Sequence, residues 1–150
     1  MPGIFFAVSL KIPGAHPKKE GLALPLRKFS TLMEVFKEFT FDAAHYLPNV
    51  PPAHKCARMH GHTYKVRITL EGPLDPVLGW VQDFADIKKV WKPLEEQLDH
   101  HLLNDIPGLE NPTAEWIAVW IWEKLAPALP QLHRIDVFET PSSGVSYFGR

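Results

Sequence analysis

Two of the eight histidines, His60 and His62, are separated by one glycine and begin a segment in which polar and apolar residues alternate. Side chains two positions apart on a β-strand project from the same face, here the face that carries Tyr64 and Val66. His45 ends the preceding alternating segment, also on its apolar face. If the two strands are antiparallel neighbours, the three imidazoles converge. Three neutral ring nitrogens with one open position form a ligand set of catalytic zinc.

Ordinary core or rim histidines are the alternative interpretation of this cluster. A buried imidazole without a hydrogen-bond partner costs about 1–3 kcal/mol, so several of them on one apolar face need a common partner. The His-x-His pair, with a third histidine on the adjoining strand, therefore predicts a Zn²⁺ site formed by His45, His60 and His62.

The single cysteine, Cys56, lies four residues before His60 and is flanked by Lys55 and Arg58. A thiolate is a base and a nucleophile, and neighbouring cations favour it, so we predict a chemical role for Cys56. Two alternatives stay open. Cys56 could be a fourth zinc ligand that closes a structural site, or an inert buried side chain.

Asp99 directly precedes His100 at the end of a helical pattern. A carboxylate beside an imidazole can orient the ring and stabilise its protonated form, as a general acid or base requires. The alternative is a histidine that interacts favourably with the C-terminal end of the helix dipole.

Glu139 shares a strand face with Val137, where an unpaired carboxylate would be costly. It could anchor a donor-rich ligand or pair with a buried arginine. The remaining candidates, His16, His54 and His133, have no comparable surroundings and are expected to be exposed.

The elements that position these residues follow from periodicity. Alternation with period two predicts strands over 35–45 and 63–71, and a final hairpin over 133–140 and 145–148. Apolar spacing of three and four predicts a helix from Phe84 to Leu98, with Asp83 as N-cap and a kink or break at Pro93, and a second helix starting near Thr113. The order β-β-α-α-β-β indicates an α+β fold in which two helices cover one face of a four-stranded antiparallel sheet.

Composition limits the class of protein. The 150 residues, 45% hydrophobic and 22% charged with a net charge of −1, indicate one globular domain rather than a basic nucleic-acid binder. No apolar run reaches the ~20 residues of a membrane helix. The single cysteine excludes an intrachain disulfide and fits a reducing, cytoplasmic compartment. Residues 1–32 are predicted to be a poorly ordered extension before a domain over 33–150; Met33 is an alternative start.

Together these motifs resemble the 6-pyruvoyl-tetrahydropterin synthase/6-carboxytetrahydropterin synthase family. The segments that carry the resemblance are Phe39-Thr40-Phe41-Asp42-Ala43-Ala44-His45, Cys56-x₃-His60-Gly61-His62, Gly79-Trp80-Val81-Gln82-Asp83-Phe84, Leu98-Asp99-His100-His101-Leu102-Asn104, Asn111-Pro112-Thr113-x-Glu115 and Glu139-Thr140. The three residues between the cysteine and His-Gly-His resemble the bacterial 6-carboxytetrahydropterin synthase branch of queuosine biosynthesis, since the pyruvoyl branch typically has a longer interval.

The resemblance implies a T-fold (tunnelling fold), homohexamers built as two stacked trimers, and active sites between subunits. The implied reaction converts 7,8-dihydroneopterin triphosphate and water to 6-carboxy-5,6,7,8-tetrahydropterin, acetaldehyde and triphosphate. The implied roles are Zn²⁺ binding by His45, His60 and His62, a general base at Cys56, a second acid/base relay at Asp99 and His100, and substrate binding by Glu139 and Thr113.

Three alternative functions remain open at this point. A 6-pyruvoyl-tetrahydropterin synthase would eliminate triphosphate and keep the side chain. A zinc-stabilised binding module would have no turnover and would use Cys56 as a ligand. A hydrolytic zinc enzyme would use bound water as the nucleophile and would not need the thiol.

Overall fold

The computed structural model describes residues 31–150. Its elements are β1 (Leu32–His45), β2 (His60–Pro73), α1 (Phe84–Leu98), α2 (Ala114–Leu125), β3 (Leu132–Thr140) and β4 (Ser143–Tyr147), with 3₁₀ turns at Lys55–Ala57 and Leu103–Asp105. β1 begins at Leu32 rather than at Val35. The predicted N-terminal extension otherwise lies outside the described residues and stays a prediction, as does the alternative start.

The four strands form one antiparallel sheet in the order β1-β2-β3-β4. In the β1–β2 register His45 pairs with His60, Ala44 with Gly61 and Ala43 with His62. The side chains of His45, His60 and His62 therefore meet at one end of the sheet, because alternate residues of paired strands share a face. A side chain at Gly61 would approach the carbonyl oxygen of Ala43 to 3.3 Å, so glycine allows this close pairing.

Both helices pack on the same face of the sheet and enclose the core. The Trp91 ring on α1 stacks on Phe39 at a centroid distance of 5.0 Å and lies 6.4 Å from Phe41. Burial of a large apolar side chain contributes roughly 1.5–3 kcal/mol, so this layer anchors α1 against β1. Fully buried side chains of the core include Tyr64, Ile68, Ile87, Leu98, Ile117, Ile121 and Ile135.

Helix α1 begins as predicted, because the Asp83 carboxylate accepts a hydrogen bond from the Ala85 N–H at 2.8 Å. Of the kink or break predicted at Pro93, the break is wrong, because the helix runs without interruption to Leu98, and the kink stays a prediction. Pro93 lies on the exposed side, where water can satisfy the carbonyl that loses its donor, while Trp91 and Leu94 stay packed. None of the helices in the described residues is long and apolar enough to cross a membrane.

Candidate active site

The three predicted metal ligands converge. Their ligand atoms all lie within 4.8 Å of one another, and the Nε2 atoms of His45 and His60 are 3.0 Å apart. His45 is 2% exposed, whereas His60 and His62 are half-buried. His45 is thus buried in the protein, whereas His60 and His62 are partly accessible from a cavity that all three histidines line.

Backbone carbonyls orient two of the rings. His45 Nδ1 lies 2.8 Å from the Pro112 carbonyl oxygen, and His60 Nδ1 lies 2.8 Å from that of Arg58. A carbonyl oxygen only accepts, so each Nδ1 donates its proton and each Nε2 presents a lone pair. Burial lowers the pKa of His45, which favours the neutral ligand form.

This donor set fits Zn²⁺. Two Nε2 lone pairs facing each other at 3.0 Å repel unless a cation lies near both of them. Neutral imidazoles whose second nitrogen donates to a carbonyl are the usual zinc ligands, because that bond fixes the tautomer and the ring orientation. Candidate ligands for a metal are therefore His45, His60 and His62.

The histidines open into a cavity of about 680 Å³ that is also lined by Cys56 and Glu139. Cys56 is half-buried, and its carbonyl accepts a hydrogen bond from the Leu47 N–H at 2.8 Å. The thiol is not a member of the three-histidine ligand group, so the described residues do not support the closed Cys-His₃ alternative. The structure places the predicted base beside the predicted metal without making it a ligand.

Glu139 is half-buried and lines the cavity from β3. None of the ion pairs found within residues 31–150 involves this carboxylate. Pairing with a buried arginine, the alternative in the sequence analysis, is therefore not what the structure shows. The carboxylate is available to a ligand in the cavity.

Asp99 and His100 form the predicted pair: Asp99 Oδ2 lies 2.9 Å from His100 Nδ1. The other oxygen of Asp99 accepts a hydrogen bond from the Asp42 N–H at 2.9 Å, which is the main cause of the lowered pKa of Asp99. The hydrogen bond to Asp99 raises the pKa of His100. His100 has a φ of 61°, and its N–H donates to the Asp42 carbonyl at 2.6 Å, so β1 holds the residue in this left-handed conformation.

The Asp99–His100 pair faces a different space from Cys56. His100 lines a neighbouring cavity of about 570 Å³ together with Asp42, Gly61 and Thr63. His62 lines both cavities, so the two cavities adjoin at the end of β2, and the hydrogen bonds to Asp42 place Asp99 and His100 beside β1. Within a single chain, neither of these two cavities is lined by both Cys56 and His100.

The 6-pyruvoyl tetrahydropterin synthase family model matches residues 34–150, nearly all of the described chain. The chain belongs to the 6-pyruvoyl tetrahydropterin synthase family. This confirms the sequence-based assignment to a family of pterin-synthesising enzymes.

Two relatives within this group carry different names. A 6-carboxy-5,6,7,8-tetrahydropterin synthase from Synechocystis is 42% identical over 76% of this chain and 92% of its own length. A dihydroneopterin monophosphate aldolase from Pyrococcus furiosus is 37% identical over 71% of this chain and 89% of its own length. Relatives of this chain thus carry the names of more than one pterin enzyme.

The structure of Caenorhabditis elegans 6-pyruvoyl tetrahydropterin synthase superposes with a TM-score of 0.74 at 28% identity, covering 80% of this chain and 97% of that one. This match, with the observed order of strands and helices, confirms the predicted α+β T-fold.

Three further sequence-based predictions concern a substrate role for Thr113 and solvent exposure of His133 and His16. Thr113 is the N-cap of α2, where its hydroxyl accepts a hydrogen bond from the Trp116 N–H at 3.3 Å, and its substrate role stays a prediction. The expected exposure of His133 is wrong, because the ring is half-buried and lies 3.2 Å from Glu34 Oε1. His16 lies outside the described residues.

Asn104 supports the site in a way that the sequence analysis did not foresee. Its side-chain oxygen accepts from the Tyr46 N–H at 3.0 Å, and its amide donates to the Tyr46 carbonyl at 2.9 Å. This reciprocal pair holds the chain directly after His45. Asparagine can bond both backbone groups of one residue, but the sequence alone contains no signal that Asn104 and Tyr46 meet.

Proposed function

We propose that this protein is a zinc-dependent carbon–carbon lyase that converts 7,8-dihydroneopterin triphosphate and water to 6-carboxy-5,6,7,8-tetrahydropterin, acetaldehyde and triphosphate, a step of queuosine biosynthesis in the cytoplasm. The observation that carries the proposal is the cavity in which the three histidines, Cys56 and Glu139 are gathered. The name of the Synechocystis relative supports the same reaction.

Each residue of the cavity has a task in this reaction. Zn²⁺ bound by the histidines would act as a Lewis acid toward the hydroxyl-bearing side chain of the substrate. The Glu139 carboxylate accepts hydrogen bonds from the N–H groups of the pterin ring and so orients the substrate. The Cys56 thiolate removes a proton from the side chain.

The second proton carrier is His100. Protonated and hydrogen-bonded to Asp99 at 2.9 Å, it is a general acid that can return a proton to the substrate. Because His100 and Cys56 line different cavities, we propose that a neighbouring subunit completes each site in a homohexamer of two trimers. The edge of β4 and the part of the β1 edge that precedes Asp42 are available for such an assembly, whereas residues 99–102 bond the β1 edge from Asp42 to Ala44.

The carboxy product is favoured over the pyruvoyl product by the three-residue interval between Cys56 and the His-Gly-His segment. The experiment that tests the proposal is incubation of zinc-loaded protein with dihydroneopterin triphosphate, followed by mass spectrometry of the pterin and an acetaldehyde assay. Carboxytetrahydropterin with equimolar acetaldehyde is the expected result. Pyruvoyltetrahydropterin without acetaldehyde would assign the protein to the other branch, and absence of turnover would support a binding module.

A further inference from the structure

Two cations line the three-histidine cavity, and neither takes part in an ion pair found within residues 31–150. They are Lys55 and Arg58, both exposed. The one carboxylate among the residues that line this cavity is Glu139. The single negative charge of Glu139 cannot balance both cations. The cavity wall formed by Lys55 and Arg58 therefore carries an excess of positive charge.

The local fold holds the two cations together. Lys55 begins a 3₁₀ turn and Arg58 is its C-cap. Both residues line the same cavity, one at each end of this short turn. The Ala57 N–H donates to the His54 carbonyl at 3.0 Å and the Arg58 N–H to the Lys55 carbonyl at 3.3 Å, which keeps the turn closed.

Several cations elsewhere in the described residues are paired, whereas others, such as Lys88 on α1, are exposed without an ion pair but line no cavity with the histidines. Arg67 lies 2.7 Å from Glu38, Lys92 lies 2.8 Å from Glu95, and Arg134 lies 3.2 Å from Asp136. Lys55 and Arg58 are like charges that line one cavity and so repel each other, and an anion bound by both would offset that repulsion. The arrangement at the cavity mouth therefore suits a bound anion of more than one charge.

We propose that Lys55 and Arg58 form a polyphosphate subsite at the mouth of the three-histidine cavity and select substrates by the length of their phosphate chain. The inference rests on the proposed function, which supplies a pterin with a triphosphate. The arginine fork binds phosphate oxygens in pairs, and lysine adds a point charge. A pterin monophosphate would engage fewer of these donors, and the Pyrococcus relative carries the name of an enzyme for such a substrate.

The direct test uses inorganic tripolyphosphate as the probe and the zinc-loaded full-length protein. Calorimetric titration compares wild type with Lys55→Ala, Arg58→Ala and the control Lys88→Ala, which removes an exposed cation from α1. We expect each cavity variant to weaken binding about tenfold or more, and the control to change it little. Arg58→Lys should lie in between, because it keeps the charge and loses the fork. Zinc content measured after each titration excludes extraction of the metal by the probe.

Substrate kinetics give the second readout. The ratio of kcat/KM for dihydroneopterin triphosphate to that for the monophosphate should fall about tenfold in Lys55→Ala and Arg58→Ala and stay unchanged in Lys88→Ala. If Lys55→Ala and Arg58→Ala weaken tripolyphosphate binding but the wild-type protein does not turn over pterins, the subsite is supported and the proposed function is rejected. Normal turnover with tripolyphosphate binding equal in all variants would reject the subsite and retain the function.

Discussion

The Nε2 atoms of His45 and His60 face each other at 3.0 Å, although the two residues are fifteen positions apart in the chain. Each ring is held by a carbonyl at its other nitrogen. The geometry of the pair is therefore set by the backbone before any metal binds, and the site is preorganised for a cation.

Removal of one of these rings should abolish tight zinc binding. We expect His60→Ala to weaken zinc affinity by more than about 100-fold, because loss of a direct ligand exceeds the effect of losing an outer partner. Competition with a chromogenic chelator measures the affinity. The matched control is His54→Ala, since His54 is exposed and lies outside the ligand group. Unchanged zinc affinity in His60→Ala would contradict the metal assignment.

The proposed base predicts a separation of zinc binding from turnover. Cys56→Ala should retain zinc, because the thiol is not part of the ligand group, and should lose about 10²–10⁴ in kcat. Metal analysis and the acetaldehyde assay on the same preparation provide both values. A near-wild-type rate would favour a hydrolytic mechanism that uses bound water, and loss of zinc would restore the structural-site alternative.

The acid/base pair predicts a shift of the pH profile. The raised pKa of His100 keeps the ring protonated to higher pH, and kcat should fall as pH rises through this pKa. In Asp99→Asn the carboxylate that raises the pKa is gone, so the alkaline limb of kcat should move to lower pH. NMR titration of the His100 ring measures the same shift without turnover. An unchanged His100 titration in this variant would contradict the pairing seen in the structure.

Shared sites predict recovery of activity in mixed assemblies. If Cys56 and His100 of different subunits serve one site, the Cys56→Ala protein and the His100→Ala protein are each inactive alone. Hexamers refolded from a mixture of the two proteins contain some sites in which both groups are intact. We expect activity to return on mixing, to about a quarter of the wild-type value for random 1:1 assembly with one thiol and one imidazole per site. Assemblies that stay inactive although light scattering shows hexamers would place both groups in one subunit.

Local pattern was enough to predict most elements and the convergence of the three histidines. The alternation before His45 and after His60 determines which side chains share a strand face, and the antiparallel pairing of consecutive strands then brings three histidines together. The N-cap of α1 could also be predicted, because Asp83 bonds the N–H group of a nearby residue, and the start of α2 near Thr113 could be predicted as well. Each of these features depends on residues close in the chain or on a two-residue period.

The errors came from interactions between distant segments. Packing of Trp91 and Leu94 against the sheet keeps α1 continuous at Pro93, and this packing energy is absent from a local helix rule. His133 is half-buried because the β2–β3 pairing brings it near Glu71. Neither outcome is contained in the periodicity of a single segment.

The amino-acid sequence by itself determined the chemistry that is present: three imidazoles on strand ends, one thiol, an Asp-His pair and a strand carboxylate, each set by residue type and spacing. Tertiary structure decided which of these groups meet. Cys56 and Glu139 share the cavity of the histidines, whereas Asp99 and His100 lie beside β1 and are held by Asp42, 57 positions before Asp99. The physical reason is that strand register and loop anchoring, which depend on the packing of the whole sheet, set distances between residues far apart in the chain.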